Sequence, residues 1–338
     1  MSIVMTGGGT GGHLAIIKAV KEELTDQDLV YIGSTRGQDR AWFEADEAFK
    51  SCYFLSTQGV VNQGFFGKVK SLWMLLRATL EARKILKKEQ AKVVFCVGGF
   101  SAAPTSFAAK ILGIPLVIHE QNATMGSLNR LLRPYAKAFI SSYDMQSAIR
   151  AYPIKQEFFE RARIRSKVET IIFLGGSQGA RAINRLALDL APMLKERGIK
   201  IIHQAGEKNI QEVRQSYRDI GIEAEVFGFT TELASFMEQA DFAVARAGAS
   251  TLWELAAIAC PTLFVPYPYA AGDHQYHNAK FLEEQGAAWI LREGELSTSK
   301  VLSMLDEDMS SRSKKLQSLV ERDGSRKIAD LLLKIAKE

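Results

Sequence analysis

The sequence predicts an α/β protein of two domains, each built on a parallel sheet, and three observations carry that prediction. Short β-rich apolar runs alternate with longer helical patterns, the rhythm of βαβ units. Each half opens with a strand running into a glycine turn, "IVMTGGGTGG" and "IIFLGGSQGA". Each half later carries a strand that ends in glycine before a small-residue helix start, "FCVGGFSAAP" and "AVARAGASTL". The chain has 338 residues, about twice a usual domain length, which agrees with two separate cores.

Taken in order, "SIVMT" reads as the first strand, residues 14–24 as an amphipathic helix and "LVYIG" as the second strand. After a long helical stretch come the strands "KVVFCVGG", "PLVIHE" and "AFISS". The rhythm fails over residues 150–169, "RAYPIKQEFFERARIRSKVE", which places the domain boundary there: 1–155 for the first domain and 156–324 for the second. The second half resumes with "TIIFLGG", "KIIHQAG", "AEVFGF", "DFAVARAG" and "PTLFVPYP". The stretch 325–338 ends in a helix with Ile328, Leu331, Leu332 and Ile335 on one face, and it is expected to return to the first domain. The pattern is that of two Rossmann-like domains in tandem. Ligands in open parallel sheets bind outside the carboxyl ends of the strands, so the glycine turns are predicted to line one cleft.

Composition excludes several classes. Apolar residues make up 47% of the chain and charged residues 24%, the balance of a globular enzyme. Cys52, Cys96 and Cys260 lie far apart without metal-ligand spacing, which predicts neither a zinc site nor a disulfide framework and fits a reducing cytoplasm. Met1 runs almost directly into the glycine turn, so no secretory leader is expected. The apolar runs are of strand length, short of the roughly 20 residues a spanning helix needs. A net charge of +5 is mild, and without a basic-aromatic signature no nucleic-acid partner is expected.

Gly7, Gly9 and Gly12 satisfy G-x-G-x-x-G, a weak signal by itself. The acidic residue that a nicotinamide enzyme would show at the end of the second strand is replaced by Gly33, Ser34, Thr35 and Arg36. Arg36 leaves an NADP-binding oxidoreductase standing as a weaker alternative. Five glycines in six residues exceed what a tight turn needs and suit backbone that approaches an anionic ligand. His13 follows directly, placed to act as a general base, against the plainer reading of a histidine that only packs at a helix start. "HEQN" ends another strand and offers Asn122 to the same place. His203 reads as structural.

In the second half, Gly175, Gly176, Ser177, Gln178 and Gly179 form a comparable turn. Gly248, Ala249, Ser250 and Thr251 open a helix whose free N–H groups suit a diphosphate, with Glu254 one turn inside. Glu254 reads equally as a ribose ligand or as a solvated glutamate favoured by the helix dipole. "DHQYHNA" follows; its histidine spacing matches no metal signature, and Gln275 and Asn278 are read as sugar ligands. Phe65, Phe66, Leu72, Trp73, Leu75 and Leu76 interleave with Lys68, Lys70 and Arg77, a segment suited either to a core face or to an anionic bilayer surface.

Together, "GGGTGGH", "HEQNATMGSLNRLL", "GGSQGAR", "ARAGASTLWELAA" and "DHQYHNA" resemble the MurG family of bacterial glycosyltransferases over nearly the whole chain. The resemblance implies the GT-B architecture, two Rossmann-like domains with parallel sheets facing across a cleft. It implies transfer of N-acetylglucosamine from UDP-N-acetylglucosamine to the 4-hydroxyl of undecaprenyl-diphosphate-linked N-acetylmuramyl-pentapeptide, with inversion. It assigns Thr10, Gly11, Gly12 and Asn122 to the sugar side, and Ser177, Glu254 and Gln275 to diphosphate, ribose and sugar hydroxyls. Phe229 and Thr230 fall in the loop that borders uracil. It also favours residues 65–88 as a membrane-docking face, and implies a peripheral enzyme on the cytoplasmic face of the inner membrane with cell-wall synthesis proteins as partners. Lys155 stands where the family has arginine; it keeps the charge but not the planar two-point grip. Ile16 and Gly272 also depart from the family pattern. No cofactor or bound metal is expected to be required, and stimulation by a divalent ion stays open. So does a different acceptor or an epimerase reaction on the same architecture.

Overall fold

The structure, a computed structural model, describes residues 2–57, 65–176 and 179–338, with the side chains of residues 65–69 outside the description. The chain divides into two compact units, Met1–Lys155 with Asp323–Glu338, and Gln156–Arg322. The division falls inside the charged stretch where the strand rhythm fails, and the return to the first unit begins at Asp323 rather than at 325.

In the first unit, strands β1 (Ser2–Thr6), β2 (Asp28–Ser34), β3 (Ser51–Leu55), β4 (Ala91–Cys96), β5 (Leu116–Glu120) and β6 (Ala138–Ser141) form one parallel sheet in the order β3-β2-β1-β4-β5-β6. All of β1 and β5 is buried, as expected of apolar strands covered on both faces. The edge strand β3, "SCYFL", is absent from the sequence reading: it is half-buried along most of its length and is defined by pairing such as Tyr31 with Cys52. On one side of this sheet lies the helix Phe65–Lys88, which buries Ala78, Ala82, Ile85 and Leu86 at helical spacing and leaves Leu72, Trp73, Leu76 and Leu80 exposed.

The second unit repeats the plan. Strands β7 (Thr170–Leu174), β8 (Lys200–Gln204), β9 (Glu225–Phe227), β10 (Phe242–Ala245), β11 (Thr262–Phe264) and β12 (Trp289–Ile290) pair in the order β12-β11-β10-β7-β8-β9. Numbered within its own unit, this is the first sheet's order read from the opposite edge. In both sheets the order reverses between the first and fourth strands, β1 with β4 and β7 with β10, so each unit has its own switch point for a ligand. The core packs Ile171, Phe173, Phe242 and Val244 against Ile183, Leu186, Leu190 and Leu194 of the helix Arg181–Glu196. The edge strand β12, only two residues long, also escapes sequence patterning.

The C-terminal helix Gly324–Lys337 buries Ile328, Leu332 and Ile335 and half-buries Leu331. It docks tightly on the end of its unit: a Cβ on Gly324 would lie 2.5 Å from the Tyr152 carbonyl oxygen, and the Ser325 hydroxyl donates to the Ile154 carbonyl at 3.1 Å.

Candidate functional site

At the first unit's switch point the turns after β1 and β4 lie against each other. A Cβ on Gly99, whose φ is +80°, would come within 2.5 Å of the Gly8 carbonyl oxygen, so only glycine allows that approach. Part of the glycine excess is therefore structural. The loop is also pinned from below by Asp39, which is fully buried: its Oδ1 accepts from the Gly9 amide at 2.6 Å and its Oδ2 from the Ser34 amide at 2.8 Å. The Tyr31 hydroxyl donates to the Gly7 carbonyl at 2.9 Å, and burial with Asp39 nearby pushes that phenol well above its ordinary range.

This preset turn delivers His13. Thr10 occupies the N-cap position of the helix Gly11–Lys21, in which Gly11 and Gly12 are the first residues, and its Oγ1 lies 2.9 Å from His13 Nδ1. The other ring nitrogen, Nε2, lies 2.9 Å from the side-chain amide nitrogen of Gln121. A cavity of about 500 Å³ opens beside the ring, lined among others by His13, Gly98, Phe100, Glu120, Asn122 and Leu128. The structure thus brings His13 and Asn122 to one cavity, as the sequence reading expects. Glu120 braces its wall: the carboxylate accepts from the Asn122 amide at 3.0 Å, the Gly126 amide at 2.9 Å and Asn129 Nδ2 at 2.9 Å. Burial pushes the Glu120 carboxyl up while these donors pull it back down. His119 is fully buried, and burial pulls it down to about 3, so it remains neutral. Lys155 is engaged elsewhere: its Nζ lies 3.4 Å from Glu22, the C-cap of the helix that begins at the glycine turn.

In the second unit, Ser177 lies outside the described residues. The Gly176 amide donates to Gln204 Oε1 at 3.1 Å. After β10, Gly248 takes the N-cap position of the helix Ala249–Ala257 with no side chain capping it, which leaves the first-turn N–H groups of Ala249, Ser250 and Thr251 for a ligand. The Ser250 hydroxyl donates to Glu254 Oε1 at 2.7 Å, orienting that carboxylate. Arg246 holds the strand end by donating to the carbonyls of Val265 at 3.0 Å and Pro266 at 3.2 Å and by pairing with Glu293. Gln275 is half-buried, and its Oε1 accepts from the Tyr267 amide at 2.9 Å.

Asn278 requires a correction. It is fully buried and its Nδ2 donates to the Ala247 carbonyl at 3.2 Å, so it braces the turn before Gly248 instead of facing a sugar. Phe229 is presented, with 53% of its surface exposed and its backbone held by the Glu207 carboxylate at 2.6 Å. Thr230 Oγ1 accepts from the Glu232 amide at 3.0 Å, closing the same loop. His203, bonded to the Tyr217 hydroxyl and to Asn184, is buried and structural.

Of the membrane-docking residues, the side chains of Phe65, Phe66 and Lys68 lie outside the description. Lys70 is exposed, Trp73 and Leu76 are exposed by 60% and 59%, and the Arg77 guanidinium lies 5.8 Å from the Trp73 ring centroid. Among the described residues no group of three or more His, Cys, Asp or Glu side chains could hold a metal ion, and no helix is long and apolar enough to cross a membrane.

Two sequence-family models match this chain: the glycosyltransferase family 28 N-terminal domain over residues 3–141 and the glycosyltransferase family 28 C-terminal domain over residues 170–332. The UDP-N-acetylglucosamine–N-acetylmuramyl-(pentapeptide) pyrophosphoryl-undecaprenol N-acetylglucosamine transferase of Sulfurovum sp. (strain NBC37-1) is 69% identical, with 100% of both chains covered. The enzyme of the same name from Wolinella succinogenes is 55% identical over 98% of this chain and 100% of its own. Among solved structures, MurG of Acinetobacter baumannii is similar with a TM-score of 0.78 at 28% identity, covering 98% of this chain and 99% of its own.

Proposed function

The chain belongs to glycosyltransferase family 28, and we propose that it transfers N-acetylglucosamine from UDP-N-acetylglucosamine to the 4-hydroxyl of undecaprenyl-diphosphate-linked N-acetylmuramyl-pentapeptide, a step of peptidoglycan synthesis. The observation that carries the division of roles is His13, an imidazole held by hydrogen bonds on both nitrogens at the wall of the first unit's cavity. The first unit takes the acceptor. The second unit, with an uncapped helix start and Glu254 one turn inside, takes the nucleotide sugar.

The acceptor oxygen attacks the anomeric carbon, the bond from that carbon to the diphosphate oxygen breaks with its electron pair leaving on UDP, and the hydroxyl proton passes to His13. In-line displacement inverts the α-linked donor to a β-linked product. The N–H groups of the Gly248–Thr251 turn meet the charge growing on the diphosphate, dipoles in place before the reaction begins. Glu254 accepts from the ribose hydroxyls, Gln275 binds the sugar, Phe229 and Thr230 border uracil, and Thr10, Gly11, Gly12 and Asn122 shape the sugar side. These contacts offer a route that needs no metal ion.

The enzyme works as a peripheral protein on the cytoplasmic face of the bacterial inner membrane, beside other cell-wall synthesis proteins. The exposed Leu72, Trp73 and Leu76 with Lys70 and Arg77 form the surface that meets anionic lipid.

Release of UDP from UDP-N-acetylglucosamine, measured with and without the lipid-linked acceptor and with and without EDTA, tests the reading. Release that depends on the acceptor and persists in EDTA is expected. Release without acceptor would assign a hydrolase or epimerase reaction, and release only with added metal would overturn the metal-free route.

A further inference from the structure

We propose that Gln121 is the positioning residue of His13: its amide donates to Nε2, fixes the ring as the Nδ1–H tautomer, and occupies the place that the acceptor hydroxyl takes in the reaction. The proposal rests on the reading of His13 as the base.

A neutral imidazole has one donor and one acceptor nitrogen, and the partner of one decides the role of the other. The Gln121 amide nitrogen, 2.9 Å from Nε2, can only donate, so Nε2 holds the lone pair. Nδ1 then carries the hydrogen and donates to Thr10 Oγ1 at 2.9 Å. The two anchors differ in kind. Thr10 belongs to the same turn as His13, three residues away, whereas Gln121 reaches the ring from the end of β5, 108 residues along the chain.

The lone pair that a base needs is therefore the one Gln121 covers, and it is also the one beside the open space. A Cβ built on Gly98 would stand 3.6 Å from Nε2, so the missing side chain leaves room there for an incoming oxygen. Gln121 is nearly buried, at 7% exposure, yet its Oε1 has no hydrogen-bond partner. An amide with one end unsatisfied is cheaper to displace than one bonded at both ends. The hydroxyl that replaces it arrives along the same line, donating to Nε2. The other titratable groups near the ring are His119 behind it, which stays neutral, and the Glu120 carboxyl on the cavity wall.

The direct test is ¹⁵N NMR of the free full-length protein, which reports the tautomer of His13 without any turnover, its signal assigned by loss in His13→Ala. Wild type should show the Nδ1–H form, and Gln121→Ala should lose it while kcat/KM for the acceptor falls and the donor KM holds. Gln121→Glu, of nearly the same shape, puts an acceptor where a donor stood. It should demand a proton on Nε2 and move the acid limb of kcat/KM upward by at least about one pH unit, a loss of about tenfold below both limbs that recovers at alkaline pH. An Nε2–H tautomer in wild type, or a Gln121→Glu variant with wild-type melting temperature and an unmoved acid limb, would overturn the proposal. Full turnover in His13→Ala would instead sink the base assignment, and the tautomer measurement would still decide how Gln121 holds the ring.

Discussion

Asp39 and Gly9 are joined by a 2.6 Å hydrogen bond from the Gly9 amide to a carboxylate with no solvent exposure, 30 residues along the chain. The same carboxylate takes the Ser34 amide, so one side chain fixes the turn after β1 against the end of β2. Asp39→Ala leaves two N–H groups without their acceptor beneath the turn that carries Thr10 and His13. Buried donors left unsatisfied cost about 1–3 kcal/mol each. Thermal and denaturant unfolding should show a loss of that order in the first unit, with turnover falling more than tenfold. A variant of wild-type stability and activity would show that the turn holds its shape without the clamp.

The two sheets and their glycine turns were legible because their signals are local. "IVMTGGGTGG" and "IIFLGGSQGA" place an apolar strand and its turn within ten residues, and the structure puts both at switch points. What escaped is non-local. Nothing near Asp39 announces a partner across the sheet, and Gln121 stands beside Asn122 with no pattern to say which of the two meets His13. Asn278 misled for a related reason: three residues from Gln275 on a helix, it shares roughly one face with it, but the packing of that face against Ala247 is set by β10. The edge strands β3 and β12 do carry short apolar stretches, "CYFL" and "AAWIL", but stretches this short fit helix and strand alike, and it is pairing with β2 and β11 that decides them.

His13→Ala should lower kcat by about 10²–10⁴, the usual worth of a positioned proton acceptor, and leave the KM for UDP-N-acetylglucosamine within about twofold. Steady-state kinetics with both substrates varied separates the two. A matched rise in donor KM with kcat intact would move His13 from chemistry to binding.

Glu254 and Asn278 should part ways under substitution. Hydrogen bonds to a charged group are worth about 1.5–3 kcal/mol, so Glu254→Ala should raise the donor KM by roughly 10–100-fold without lowering the melting temperature. Asn278→Ala removes the brace on the Ala247 carbonyl and should instead destabilise the second unit by about 1–3 kcal/mol. Calorimetric titration with UDP, beside unfolding curves, distinguishes them; equal effects on binding and stability from both variants would contradict the two roles.

Trp73→Ser with Leu76→Ser should weaken binding to vesicles of mixed neutral and anionic lipid by at least about tenfold, since burying either side chain is worth about 1.5–3 kcal/mol. Both side chains are mainly exposed, so the melting temperature should hold. Sedimentation with vesicles at low and high salt also tests the share carried by Lys70 and Arg77, which salt screens. Unchanged sedimentation would mean that another surface meets the lipid.

Each unit carries one fully buried histidine, His119 in the first and His203 in the second, and burial holds each down to about 3. In the unfolded chain the same rings titrate near 6.5. Between those values the unfolded state binds the extra proton, so stability is fully present above about pH 6.5 and is lost as the pH falls towards 3. The slope is about 1.4 kcal/mol per pH unit for each ring, so each unit should lose about 2 kcal/mol between pH 7 and pH 5 from this source. His203→Gln lets the side chain still meet Tyr217 and Asn184 but has no proton to gain, and should flatten that dependence in the second unit alone. Denaturant unfolding of wild type and variant at the two pH values checks it. Parallel losses in both proteins would mean that other groups, not the buried imidazole, set the acid sensitivity.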